Sequence, residues 1–226
     1  MRLGIDARLT HYTHGGISFY TRQLAARLPA LDPTNDYVIF HSRKAGEPLP
    51  TPANARRANC WTPAHHRFER LALGAELLPY RLNLLHSPDF IPPHGPFRSV
   101  ITLHDLTFLH YPQFLTADSR RYYNDQIRGA VKRADAILTD SDATRADVLG
   151  LLGVAADKAV TVHLAPDPIF CPQPADSVES VLTRLKLPKP YLLFVGTFEP
   201  RKNVPGLLTA YTMLPPDAPP LLLANA

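Results

Sequence analysis

A chain of 226 residues with 45% apolar and 19% charged residues has the make-up of a globular protein with room for one large core or one core and part of another. Its formal net charge of +4 favours anionic small molecules or an acidic membrane surface as partners and is too weak for a nucleic-acid binder. Two distant cysteines, Cys60 and Cys171, make neither a disulfide framework nor a zinc spacing, and no apolar run approaches the roughly 18 residues of a membrane span.

In chain order, Arg2 to Asp6 reads as a strand, followed by a helix whose buried face carries Ile17, Tyr20, Thr21, Leu24 and Leu28. Tyr37–Phe40 is a second strand and Phe68–Leu78 a helix. Leu84–His86 and Val100–Leu103 are further strands. Asp118–Arg133 is a helix with Tyr123, Ile127, Val131 and Ala134 on one stripe, then Ala136–Thr139 a strand, Asp142–Leu152 a helix and Val160–Val162 a strand. Apolar strands alternating with helices predict an α/β fold, a doubly wound parallel sheet covered on both faces. The 24 prolines, roughly twice the usual ~5%, fall between these elements, as in Leu49-Pro50-Thr51-Pro52 and Ile91-Pro92-Pro93, and mark loops.

Four prolines between Ala165 and Ala175 mark a boundary. Asp176 and Glu179 stand at capping-box spacing before a short helix ending near Leu185. Tyr191–Val195 reads as a buried strand, Asn203 as the cap of a helix with Pro205 in its first turn, and Leu221–Leu223 as the start of another strand. The expected division is a domain over 1–170, a linker over 171–189 and the start of a second Rossmann-like domain over 190–226. Strand, helix and strand are too few to close a second core, so the sequence is expected to be part of a longer chain. The N-terminus lacks the apolar stretch of a secretion signal, and the protein reads as cytoplasmic with unpaired thiols.

In a parallel sheet, ligands bind beyond the carboxyl ends of the strands. That rule selects Gly15-Gly16, His104-Asp105, Asp140-Ser141-Asp142 and the stretch Gly196 to Asn203, which holds Thr197, Glu199, Arg201 and Lys202. Gly15 and Gly16 enter a helix, where backbone amides can meet a phosphate, or they form a plain turn. Arg201 and Lys202 precede a helix start that is already positive, an unfavourable placement that an anion such as pyrophosphate would relieve. The alternative there is a solvated surface pair, one of which Glu199 neutralises. His104 closes a buried strand, where backbone could also satisfy it. Asp140 and Asp142 have the spacing of a metal-binding D-x-D, but Asp142 reads first as a helix cap, and no metal is expected. His65-His66 and the pair His11 and His14 show no metal spacing. Arg120, Arg121, Arg128, Lys132 and Arg133, with Tyr122 and Tyr123 and only Asp118 and Asp125 as acids, give the helix Asp118–Arg133 a basic face. It reads first as solvated and second as a membrane-docking surface.

Taken together, the Gly15-Gly16-Ile17 turn, His104-Asp105-Leu106-Thr107-Phe108, Thr139-Asp140-Ser141 leading into Thr144-Arg145, the segment His163 to Phe170 and the loop Gly196 to Asn203 resemble retaining glycosyltransferase family 4, of the GT-B architecture. The resemblance implies transfer of a sugar from a nucleotide-diphosphate donor to a glycan or lipid-linked acceptor, with an acceptor-side N-terminal domain and a donor-side C-terminal domain. It implies His104 at the reacting centre, Gly15, Gly16, Thr197, Glu199, Arg201 and Lys202 on the donor, and Asp105 and Ser141 on the acceptor side. A mannose donor is expected from the subgroup that the His104 motif resembles, with no cofactor. Two departures stand out. Many members carry Arg where Thr197 stands, and the family's paired glutamates have no counterpart here, so little or no transfer by these 226 residues alone is expected. The alternatives are a binding module that keeps only an acceptor cleft, or another GT-B-like enzyme such as an epimerase or phosphorylase.

Overall fold

The computed structural model describes residues 1–46, 52–66, 68–114 and 117–225; within the helix at 117–133 the side chains of 117–122 and 125 are outside this description. The expected proline loop at Leu49–Thr51 and the expected roles of Asp118, Arg120, Arg121, Tyr122 and Asp125 therefore lie outside the described residues. The chain forms two compact units, Met1–Leu164 and Ala165–Ala226.

The first unit is a seven-stranded sheet, all pairs parallel. Its strands are β1 (Arg2–Asp6), β2 (Asp36–Ser42), β3 (Ala55–Cys60), β4 (Leu84–Ser87), β5 (Arg98–Leu103), β6 (Ala136–Thr139) and β7 (Ala159–Thr161), in the order β3-β2-β1-β4-β5-β6-β7. The direction of winding reverses between β1 and β4. The helices are α1 (Gly16–Leu31), α2 (Glu69–Leu77), the single turn α3 (Thr107–His110), α4 (Ala117–Arg133) and α5 (Asp142–Leu152).

β2 shows why an unbroken apolar strand is required. Alternate side chains point to opposite faces. Val38 and Phe40 join Leu73 and Leu77 of α2 in one cluster, while Tyr37 and Ile39 join Ala25 of α1 in another. A third cluster packs Ile101, Leu103 and Ile137 of β5 and β6 against Ile127 and Val131 of α4 and Val148 of α5. Each such side chain contributes about 1.5–3 kcal/mol when fully buried.

One strand lies where none is expected, and several local expectations need correction. β3 has no apolar run, because it is an edge strand whose buried positions are only Ala58 and Cys60. α1 buries Ser18, Thr21, Ala25 and Pro29 most deeply; of the expected face only Thr21 is fully buried, while Leu24 and Leu28 are partly buried against the same cluster as Ala25 and Ile17 and Tyr20 are half-buried. α5 is capped by Ser141, whose Oγ accepts from Thr144 N at 3.1 Å; Asp142 lies inside the helix, and its carboxylate accepts from Thr161 Oγ1. α5 ends at Gly153, whose left-handed φ of 66° suits a residue without Cβ. Both cysteines are free thiols, and burial pushes the Cys60 thiol up.

The second unit holds α6 (Ala175–Leu185), β8 (Leu192–Val195), a 3-10 turn at Pro200–Lys202, α7 (Val204–Thr212) and β9 (Leu221–Ala224). β8 and β9 pair in parallel. The capping box expected at Asp176 and Glu179 does not form. Pro174 occupies the cap position with no side-chain bond, Asp176 sits in the first turn, and Glu179 pairs with Lys189 at 3.2 Å. β8 is exposed rather than buried, with Leu193 55% and Val195 64% exposed, because among the described residues β9 is its one strand neighbour.

Candidate functional site

Two polar clusters occupy the carboxyl edge of the seven-stranded sheet, joined by Ser87, which ends β4, and by Pro88-Asp89 beyond it. The first centres on His104, one residue past β5. Its Nδ1 meets Asp140 Oδ2 at 2.6 Å and its Nε2 meets the Pro88 carbonyl at 3.1 Å. Both partners are acceptors, so both ring nitrogens must donate for both bonds to form. Nε2 can reach a ligand only by releasing the Pro88 carbonyl or sharing its proton with it. Tyr20 of α1 stands edge-on to the ring at 5.1 Å, and Thr102 Oγ1 bridges Tyr20 OH and buried His86 Nε2. Burial, reinforced by the charge of His104, pushes the His86 pKa down to about 4.

The second cluster is almost wholly enclosed. Arg8, 1% exposed, clamps Asp6 with Nε at 2.9 Å and Nη2 at 2.7 Å, and reaches Glu69 Oε1 at 2.5 Å and the Thr62 carbonyl at 2.8 Å. Burial pulls the Arg8 guanidinium pKa down, but Asp6 and then Glu69 outweigh it and leave it raised. Glu69 Oε2 accepts from the His65 backbone N–H at 2.7 Å, and His65 Nε2 meets Asp89 Oδ2 at 2.5 Å. For His65, burial again lowers the pKa, while Asp89, by hydrogen bond and charge, and then Glu69 override it in the raising direction. Arg8, Glu69 and His65 escape sequence reading because they are scattered. Asp6 and Asp89 alone could be found, Asp6 as the last residue of β1 and Asp89 two residues past β4.

The other expected residues fall as follows. Gly15 is the N-cap of α1 with extended backbone, and no side chain caps this helix. A Cβ on Gly15 or Gly16 would meet nothing within 4 Å, so neither glycine is demanded by the turn and the helix start is open. Asp105 is exposed and accepts from Thr107 N at 2.9 Å, starting α3. The Ser141 hydroxyl is engaged in its cap, and Thr144 Oγ1 ties that cap to the His104 carbonyl at 3.1 Å. Asp140 and Asp142 serve separate partners, and among the described residues no three His, Cys, Asp or Glu converge to hold a metal ion.

In the second unit, Arg201 and Lys202 occupy the 3-10 turn ahead of α7, which Asn203 caps through Gly206 N. Arg201 Nε pairs with Glu199 Oε2 at 2.7 Å, an exposed pair that holds the Glu199 carboxyl below its ordinary value. Thr197 Oγ1 is buried beside them without a hydrogen bond of good geometry. On α4, Ile127 and Val131 are buried while Arg128 and Lys132 are exposed, and no described helix is long and apolar enough to cross a membrane.

A seven-stranded parallel sheet with this order, its polar groups gathered at the carboxyl edge, is a doubly wound Rossmann-like fold, and the solved structures it superposes on give it the GT-B class. The chain is a member of Glycosyltransferase Family 4, which matches residues 14–168. It is 29% identical over 233 residues to O-antigen chain mannosyltransferase B of Escherichia coli, covering 95% of this chain and 61% of that protein. It is 28% identical over 126 residues to the serotype-specific mannosyltransferase WbdA of Escherichia coli, 54% of this chain and 15% of that one. Among solved structures it superposes on WaaG, a glycosyltransferase involved in lipopolysaccharide biosynthesis, with a TM-score of 0.70 at 14% identity, covering 100% of this chain and 63% of that one. Anabaena Alr3699/HepE in complex with UDP and glucose gives a TM-score of 0.67 at 12% identity, again 100% of this chain and 60% of the other. The chain thus spans about three fifths of the relatives it matches along nearly its whole length.

Proposed function

We propose that this chain supplies acceptor-side and donor-side parts of a retaining hexosyltransferase. It moves mannose from a nucleotide-diphosphate donor to a glycan or lipid-linked acceptor. Residues 1–164 take the acceptor side and the loop Gly196–Asn203 the donor side. The observation that carries this reading is the pair Arg201 and Lys202 in the turn that leads into the Asn203-capped helix. Fixed cations next to helix amides can stabilise the negative charge that builds on a departing diphosphate, without a metal. Glu199 holds Arg201 in place until an anion competes for the guanidinium. Gly15 and Gly16 leave the uncapped start of α1 open to a phosphate oxygen. His104, anchored by Asp140, presents Nε2–H toward the donor sugar once the Pro88 carbonyl yields. Contact of α4 with a membrane surface belongs to the same reading, through exposed Arg128 and Lys132.

Titration of the chain with GDP-mannose, GDP and UDP-glucose, followed by its melting temperature, tests the donor side. The expected result is a rise with the guanosine ligands, lost when Arg201 and Lys202 are both changed to Ala. At about 100-fold excess over Kd the gain is roughly 2.7 kcal/mol, so its loss is easily read. A flat response to all three ligands, or an undiminished response in the double variant, sinks the assignment of the loop.

A further inference from the structure

A small chamber opens beyond β1 and β4, the two strands at which the winding reverses. In doubly wound sheets that reversal is where ligands settle. The chamber measures about 20 Å3 and is lined by Asp6, Arg8, His65, Glu69, Ser87 and Asp89. A space of this size takes about one oxygen-sized group.

Three observations point to an occupant. Ser87 is 2% exposed and its Oγ has no hydrogen-bond partner among the described residues, although buried hydroxyls are almost always paired. His65, which is not glycine, is held at a left-handed φ of 61°, a strained backbone of the kind that collects at functional sites. A continuous relay fixes the walls: Asp6 to Arg8, Arg8 to Glu69, Glu69 to the His65 amide, and His65 to Asp89. The rim is not sealed, since the His65 and Asp89 side chains remain 34% and 20% exposed.

The lining also decides the chemistry. Three carboxylates against one guanidinium repel a phosphate, which is in any case too large for the space. A divalent cation would have to displace Arg8, which the carboxylates already hold on two sides. A neutral hydroxyl suits both kinds of wall, because it donates to a carboxylate and accepts from Ser87 Oγ–H.

We infer that the chamber is an acceptor subsite that receives one hydroxyl of a sugar, between the Ser87 hydroxyl and the Asp89 carboxylate, with His65 positioned at its mouth. This rests on the glycan-acceptor reading above.

The test uses the 226-residue chain with isotope-labelled histidine, titrated with methyl α-D-mannopyranoside and its 2-, 3-, 4- and 6-deoxy analogues. The His65 side-chain resonance, assigned by its loss in His65→Gln, is the readout. The parent sugar is expected to shift that resonance saturably, and one deoxy analogue to bind about tenfold more weakly, because it leaves Ser87 and Asp89 unpaired. Ser87→Ala should weaken the parent by a similar factor and leave that analogue unchanged. Equal binding of all five sugars, no shift of His65, or a Ser87→Ala variant that melts higher and titrates like the parent chain overturns the inference and leaves a water-filled void. GDP-mannose binding, read separately by melting temperature, keeps the two ideas apart. Its absence with the mannoside still seated at His65 removes the transferase reading alone, and its presence with His65 unmoved removes this inference alone.

Discussion

Residues 1–164 and 165–226 alternate strand and helix in the same way, yet Ile101 and Leu103 of β5 are wholly buried while Leu193 and Val195 of β8 are 55% and 64% exposed. The strand sequences, Val-Ile-Thr-Leu and Leu-Leu-Phe-Val, are nearly interchangeable in apolar content. β5 has strands on both edges and helices packed on it, whereas β8 has one paired edge. Burial of a parallel strand is therefore conferred by its neighbours and not by its own composition.

Stability measurements can break that comparison. Trp61, the only tryptophan, reports the first unit, and a label on exposed Cys171 reports the second. The largest effect is expected from Arg8→Ala, which leaves Asp6 and Glu69 with unpaired charge in a nearly closed site. A loss of about 3–5 kcal/mol at Trp61 in urea titrations follows, with the Cys171 transition unmoved. Next, Leu103→Ala should cost about 2–5 kcal/mol and Leu193→Ala no more than about 0.5. Comparable losses at the two positions would contradict the contrast in burial.

The smallest effect concerns pH. His41 is lowered to about 4 by burial and then by Arg57 and Arg22, and His86 to about 4 by burial and then by His104. A lowered histidine is neutral when folded, so the unfolded chain takes up protons first. The stabilising contribution is complete above about 6.5, the ordinary value, and drains away as pH falls toward 4. Raised His65 works in the opposite sense and offsets part of the loss. All ten histidines precede residue 165, so this dependence belongs to the first unit alone. Trp61 should report a fall in stability between pH 7.5 and pH 5, and the Cys171 label no histidine-linked change.

The sheet was legible wherever apolar runs were dense. β1, β2, β4, β5 and β6 follow from their residues, and the stripe Ile127, Val131 and Ala134 faces the core as its spacing predicts. β3 was not legible, since Ala-Arg-Arg-Ala-Asn-Cys shows strand character only through its ladder with β2. At the site, His104 stood out because a strand end is a place in the sequence. Its anchor Asp140 lies 36 residues away, and Arg8 and Glu69 lie 61 apart, so their pairing exists only once the strand order is known. The cap of α5 falls on Ser141 and not on Asp142 for a smaller reason: serine and aspartate cap equally well, and which of two neighbours turns extended is decided by the preceding strand.

Pro88 has a consequence of its own. Its carbonyl receives His104 while the next residue receives His65, so two consecutive residues moor two imidazoles of different clusters. A group that tugs on Asp89 tugs on the tether of His104 as well. Occupancy at one end of the sheet's crevice can thus reset the aim of the ring at the other, across a single peptide unit and without any domain having to swing.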